Sequence, residues 1–266
     1  MKKVRLDQLV FDRGLAESRE RAKTSIMAGL VFVNGQRSDK PGTPTAEDAH
    51  IEVRGEVIPY VSRGGLKLEK ALKVFHFEPA GMVCCDCGAS TGGFTDVLLK
   101  NGARKVYAID VGYGQLAWSI RSDERVVVME RTNIRYVTPD MLDGTPQLAV
   151  MDLSFISIKL VLPVVRELLP DGGWVICLIK PQFEAGKEKV GKKGVVREKA
   201  THIEVVRDIL DFAPTAGYTA LGLDFSPIRG PEGNIEYLAL LRKGNYDAPA
   251  LDPQAVVEAS HTAFGA

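Results

Sequence analysis

Val83-Cys-Cys-Asp86-Cys-Gly88-Ala-Ser90-Thr91-Gly92-Gly93-Phe94 is an apolar run, an acidic residue, a glycine-rich turn and the opening of a helical pattern. Glycines let backbone turn sharply and come close to a ligand, and a helix N-terminus directs free N–H groups towards it. A dinucleotide loop would read G-x-G-x-x-G and a phosphate cradle G-x-x-x-x-G-K-[ST]. This one reads G-x-x-x-G-G behind Asp86. A carboxylate there would repel a pyrophosphate but suits the ammonium and sulfonium charges of S-adenosylmethionine.

Outward from this loop, strand-like runs recur at Val106–Ile109, Val126–Met129, Leu148–Met151 and Trp174–Ile179. Helical patterns lie between them, at Phe94–Lys100 and Leu160–Leu168. A long helix over Thr201–Phe212 precedes further runs near Tyr218–Phe225 and Tyr237–Leu241. Runs apolar on both faces, alternating with helices, predict a mostly parallel, Rossmann-like α/β sheet covered on both sides. Ligands of such sheets bind beyond the carboxyl ends of the strands. Four of the runs end in Asp86-x-Gly88, Asp110, Asp152 and Lys180. Asp110 is placed to accept ribose hydroxyls. With Asp86, Gly88, Ser90, Thr91, Gly92, Gly93 and Phe94, it makes up the expected cofactor set. Lys67 lies just before the sheet and Glu236 opens its last run.

Residues 1–60 have a different texture. Leu6, Leu9 and Val10 have helical spacing, and Gly14 stops that helix. Ser18 is a good N-cap for a second helix holding Ala22 and Ile26, which Gly29 ends. Val31–Val33 reads as a strand and Asn34-Gly35 as a hairpin turn. Pro41-Gly-Thr-Pro44 is a loop leading to a strand near Ile51–Val53. In residues 1–40, nine basic side chains, Lys2 among them, face five acidic ones. Arg19 and Lys23, one helical turn apart, can share a phosphate track. The ordered string Arg5-Leu-Asp7-x-Leu9, Ser18-Arg19-x-x-Ala22 and Ala28-Gly29-x-Val31-x-Val33-Asn34-Gly35 resembles the S4 RNA-binding domain. That resemblance implies a small α+β module gripping folded RNA, with Arg5, Arg19 and Lys23 as contacts.

The 266 residues suggest one or two domains, divided here as 1–60, 61–245 and a 246–266 tail that reads as one more capped helix. Thirty-four Lys and Arg balance 34 Asp and Glu, so any nucleic-acid contact must come from a local patch. One such patch is the glycine-rich stretch 180–199, where seven basic residues, including Lys189, Lys192 and Lys193, face three acidic ones. Asp7 and Asp12 interrupt the charged start where a signal peptide needs an apolar core, and no run approaches a membrane span. The expectation is a cytoplasmic chain with no membrane partner. Cys84, Cys85, Cys87 and Cys177 read as buried thiols, and the scattered histidines give no metal-ligand spacing.

The ordered set Lys67, Asp152, Lys180 and Glu236 matches the Lys-Asp-Lys-Glu tetrad of FtsJ-like ribose 2′-O-methyltransferases. Together with the leading module, the motifs Ser62-Arg-Gly-Gly-x-Lys67, Met151-Asp-Leu-Ser-Phe155, Ile179-Lys-Pro-Gln-Phe-Glu184 and Ser226-Pro-Ile-x-Gly-Pro-x-Gly-Asn-x-Glu236-Tyr resemble the TlyA family. The resemblance implies S-adenosylmethionine-dependent 2′-O-methylation of cytidine ribose in ribosomal RNA, without a metal. In this reading Lys180 acts on the hydroxyl, as base or as orienter. Asp152 and Lys67 position it, and Glu236 completes the network. Base N-methylation is disfavoured, because Asp152-Leu-Ser-Phe155 replaces the Asp/Asn-Pro-Pro-Tyr/Phe loop such enzymes carry. Two rivals stand beside this reading: a ribosome-binding protein that no longer methylates, and a membrane-lytic protein, as the family's hemolysin label suggests.

Overall fold

The computed structural model describes residues 3–54 and 58–265, so Lys2 lies outside the described residues. The chain forms two compact units, Met1–Gly65 and Leu66–Ala266.

In the first unit, β1 (Lys3–Arg5) leads directly into α1 (Leu6–Asp12), and α2 is Arg19–Met27. The Ser18 side chain caps α2 by accepting the Arg21 N–H. Next come β2 (Val31–Val33), β3 (Gln36–Ser38), β4 (Pro44–Ala46) and β5 (Ile51–Val53). Asn34 and Gly35 take φ of 50° and 79°, the positive values a two-residue hairpin requires. β2 pairs antiparallel with β3 and β5, and β1 with β4. The β1–β4 ribbon has no signal in the sequence: Lys3-Val-Arg5 and Pro44-Thr-Ala46 are not the apolar runs that mark β2 and β5. Leu6, Leu9, Val10, Ala22, Ile26, Val31 and Ile51 form a core of their own.

α3 (Gly65–Val74) starts at the boundary, and the second unit then alternates β6 (Val83–Cys87), α4 (Gly93–Lys100), β7 (Lys105–Ile109), α5 (Trp118–Arg121) and β8 (Val126–Met129). Next are β9 (Leu148–Met151), α6 (Leu162–Leu168), β10 (Trp174–Ile179), α7 (Pro181–Glu184) and α8 (Lys199–Thr215). The unit ends with β11 (Tyr218–Phe225), β12 (Tyr237–Lys243) and α9 (Pro253–Phe264). One seven-stranded sheet runs β11-β12-β10-β9-β6-β7-β8. Five strands are parallel, and β12 lies antiparallel to both β10 and β11. Every residue of β6 and β9 is buried, which requires cover on both faces. The chain builds outward from β6 to β7 and β8, then resumes on the other side with β9 and β10. The switch point therefore falls between β6 and β9, where open sheets of this kind bind ligands.

Within residues 246–265 a capped helix forms, as the sequence suggests. The Asp252 carboxylate caps α9, and Val257 is fully buried in the main core. The four cysteines are buried and free. Among the described residues, no helix is long and apolar enough to cross a membrane.

Candidate active site

Asp152 follows β9 at the switch point, and two lysines converge on it. Lys180 Nζ lies 2.6 Å from Asp152 Oδ1, and Lys67 Nζ 3.2 Å from Oδ2. Lys67 is also 2.7 Å from Glu236 Oε2, while Lys180 donates to Ser154 Oγ at 3.3 Å. Both lysines and Glu236 are buried. The four residues expected to act together thus form one chain of contacts, Glu236–Lys67–Asp152–Lys180. They arrive from α3, the end of β9, the end of β10 and the approach to β12. Because β12 is antiparallel to β10, its start lies at the carboxyl end of the parallel strands, which is how Glu236 reaches the others.

The charges decide the division of labour. Burial works against the Lys67 ammonium, but Asp152 and Glu236 outweigh it and raise its pKa. Burial likewise opposes the Asp152 carboxylate, and Lys67 and Lys180 overcome it and lower its pKa. Lys67 is therefore a fixed cation between two carboxylates. Lys180, with one carboxylate and one hydroxyl partner, keeps capacity for a further hydrogen bond.

Asp152 also walls a cleft of about 490 Å³. Three of the expected cofactor residues, Gly88, Ser90 and Asp110, line it as well. Gly88 has φ +92°, and a Cβ there would meet the Asp152 carbonyl oxygen at 2.9 Å, so only glycine fits. Asp110 accepts N–H bonds from Ser90 (2.8 Å) and Gly112 (2.6 Å), which fix its carboxylate in the loop. Asp86 lies wholly buried beneath. Its Oδ2 accepts from Thr95 Oγ1 at 2.7 Å, and its Oδ1 has no hydrogen-bond partner. Burial lifts its pKa to about 7 against the hydrogen bond from Thr95, with Asp152 and Asp110 adding to the rise. The lining does not include Asp86, Thr91, Gly92, Gly93 or Phe94. Gly92 packs towards Leu116 and Ile120, Phe94 is buried, and the segment serves to start α4.

Residues 60–243 match the model of the FtsJ-like methyltransferases, and residues 4–49 that of the S4 domain. The chain belongs to the FtsJ-like methyltransferase family. It is 43% identical over 264 residues to the 16S/23S rRNA (cytidine-2′-O)-methyltransferase TlyA of Mycobacterium tuberculosis, covering 99% of this chain and 98% of that one. It is 42% identical to Hemolysin A of Brachyspira hyodysenteriae, over 89% of this chain and 98% of that one. A solved chain from Streptococcus thermophilus, provisionally named a hemolysin, is 50% identical, with a TM-score of 0.79 over 100% of this chain and 98% of that one.

Around the FtsJ-like core, the expected RNA contacts divide into paired and unpaired cations. Lys192 and Lys193 are exposed, but Lys189 is tied to Glu204 at 2.5 Å. In the S4 unit, Arg5 and Arg19 are both partly exposed and both engaged within the module. Each bonds the fully buried Asp7 at 3.0 Å, because a carboxylate out of water must be paired. Lys23 lies 3.7 Å from Glu20.

Several residues of the FtsJ-like site escape sequence reasoning. Ser154 touches Lys180, and its place two residues after a strand-end carboxylate was the available signal. Phe155 holds φ +64° while 92% exposed beside the cleft, a strained conformation costing about 1–3 kcal/mol. Glu184 accepts from Ser157 Oγ (2.6 Å) and the Ile158 N–H (2.8 Å), tying the segment after Lys180 to the loop after Asp152. Gln115, Thr132 and Asn133 line the cleft without any pattern to reveal them. A larger groove of about 950 Å³, lined by Arg166, Arg207, Tyr218 and Tyr246 among others, opens at the other end of the strands, away from the tetrad. Among the described residues, no three His, Cys, Asp or Glu side chains are grouped to hold a metal ion.

Proposed function

We propose that the chain methylates the ribose 2′-hydroxyl of cytidine in ribosomal RNA, using S-adenosylmethionine. One observation carries the reading: Asp152 is at once a wall of the cleft and the bridge between Lys67 and Lys180. The methyl donor and the groups that handle the acceptor therefore meet at one side chain. The name of the Mycobacterium tuberculosis relative supports the nucleotide and the ribosomal substrate. Ribosomal subunits as partners imply work in the cytoplasm.

The cleft's chemistry suits this cofactor. Asp86 does not line the cleft, but its buried carboxylate with an orphaned oxygen lies two residues before Gly88, which does, and it matches a ligand that carries positive charge. Gly88 leaves the floor open at the Asp152 carbonyl, and Asp110 is an acceptor for ribose hydroxyls. Bound there, S-adenosylmethionine supplies an electrophilic methyl carbon. Lys180 meets the acceptor hydroxyl, and Asp152 fixes Lys180 from behind. Lys67, itself held by Glu236, keeps Asp152 ionised and oriented together with Lys180. Transfer is an in-line displacement, so alignment and preset charge supply much of the rate. The exposed Lys192 and Lys193 attract the RNA backbone, and a 2′-hydroxyl restricts the substrate to RNA.

The test is to incubate purified ribosomal subunits with methyl-labelled S-adenosylmethionine and digest the RNA to nucleosides. Label in 2′-O-methylcytidine is expected. Label on a base, or no transfer by a chain that binds the cofactor, overturns the proposal.

A further inference from the structure

Two loops flank the tetrad: the basic stretch between α7 and α8, and the Ser226–Glu236 stretch that delivers Glu236. Sequence gives each its own character and nothing to link them. In the structure Asn234, only 2% exposed, joins them with both ends of its amide. Oδ1 accepts the Val196 N–H at 3.0 Å, and Nδ2 donates to the Gly194 carbonyl at 2.9 Å. The Asn234 carbonyl in turn accepts the Gly230 N–H at 2.9 Å, closing a turn immediately before Glu236. That turn is tight against the carboxylate: a Cβ on Gly230 would meet Glu236 Oε1 at 2.8 Å.

A second contact secures the same point. His202, on α8, bonds the Val196 carbonyl through Nε2 at 3.0 Å and the Tyr237 hydroxyl through Nδ1 at 2.7 Å. A carbonyl only accepts, so Nε2 carries the proton and Nδ1 accepts from Tyr237. Tyr237 directly follows Glu236 and also contacts Ser260 of α9 at 3.2 Å. Val196 thus has both backbone groups held by side chains, and its own side chain is 3% exposed. The cations just before it, Lys187, Lys192 and Lys193, stand in solvent on a turn where Lys193 takes φ +67°.

We propose that Asn234 is a positioning residue that clasps the basic loop to the Glu236 loop, so that the surface that takes RNA phosphates and the carboxylate that holds Lys67 keep one fixed geometry. Asn234 touches no reacting atom; it acts through Glu236 and, by way of Lys67, through Asp152. The proposal rests on the methyltransferase reading for its substrate, but the clasp itself is a property of the free chain.

The experiment compares Asn234→Ala and Asn234→Asp in the full chain with wild type. Asp keeps size and the acceptor for Val196 while replacing the donor to Gly194 by an oxygen. Three quantities are read: the trypsin cleavage rate within residues 187–199, cofactor affinity by calorimetry, and kcat and KM on ribosomal subunits. Losing bonds to buried groups at this scale predicts cleavage about tenfold faster or more in Asn234→Ala. It also predicts kcat reduced about tenfold or more and cofactor affinity within about twofold of wild type. Asn234→Asp falls between, with partial rescue of kcat. Unchanged cleavage, Asn234→Asp matching wild type, or a kcat loss explained by lost cofactor affinity overturns the clasp. If Asn234→Ala does not fold, Asn234→Asp decides alone. If wild type methylates no ribosomal RNA, the methyltransferase reading falls, and the cleavage rates still decide the clasp.

Discussion

Asp7 and Asp152 each hold two cations, yet the two sites do different things. Asp7 is fully buried and bound by Arg5 and Arg19, whose side chains are 55% and 44% exposed. Asp152 is bound by Lys67 and Lys180, each only 8% exposed at the side chain, and it faces a cleft. Arginine is permanently charged and presents a rigid fork, so the Asp7 cluster is a fastener for α1 and α2. Lysine is a compact charge on a flexible stem that burial and neighbours can tune, so the Asp152 cluster can orient and exchange with a substrate. Position in the fold completes the contrast: one carboxylate lies inside a small module, the other at a sheet's switch point.

Removing each carboxylate should separate the two roles. For Asp152→Asn, methyl transfer is expected to fall about 10³-fold or more, since both lysines lose their common partner and Lys180 its orientation. A radiolabel assay beside a circular dichroism spectrum checks this; loss of the fold instead of the rate would make Asp152 a fastener too. For Asp7→Asn, the expectation is destabilisation of the first unit by about 2 kcal/mol after allowance for the exposed arginines. Amide exchange in α1 and α2 of the full chain reads it, with turnover on saturating substrate changing little. Asp7 has its pKa lowered by the two arginines in spite of burial, so its contribution holds above the ordinary carboxylate range and is lost as pH falls below about 4.

Asp86 gives the opposite sign. Burial raises its pKa to about 7, so the free chain binds an extra proton between about 4 and 7, and the contribution of this group to stability declines as pH rises through that window. A positively charged ligand favours the ionised form. Affinity for S-adenosylmethionine is therefore expected to climb about tenfold between pH 6 and 8. Calorimetry should find that slope in wild type and a flat, weaker profile in Asp86→Asn; a flat wild-type profile would show that Asp86 does not sense the ligand.

What the sequence revealed follows from how local each feature is. The turn at Asn34-Gly35, the Ser18 cap and the Gly88 loop are fixed by residues next to one another, and each is found where its local chemistry requires. Strand ends pointed to Asp86, Asp110, Asp152 and Lys180 because a parallel sheet gathers its carboxyl ends on one side. Glu236 and Lys67 lie at no such strand end and came through family likeness. Pairing could not be read at all. Which cation Asp7 takes, that Lys189 spends its charge on Glu204, and that Asn234 meets Val196 are choices made by tertiary packing between distant segments. Asp86 and Thr91 to Phe94 belong to the right motif but stay out of the cleft wall: Asp86 is buried in β6, Gly92 caps α4, and Gly93 and Phe94 open it.

Lys180→Ala is the sharpest test of the tetrad, measured by single-turnover methyl transfer to ribosomal subunits alongside cofactor binding. Transfer should drop about 10³-fold or more, with S-adenosylmethionine affinity within about threefold of wild type because the cleft wall at Asp152 is intact. Transfer within about tenfold of wild type, or a rate lost only in step with cofactor affinity, would contradict the role proposed for the tetrad.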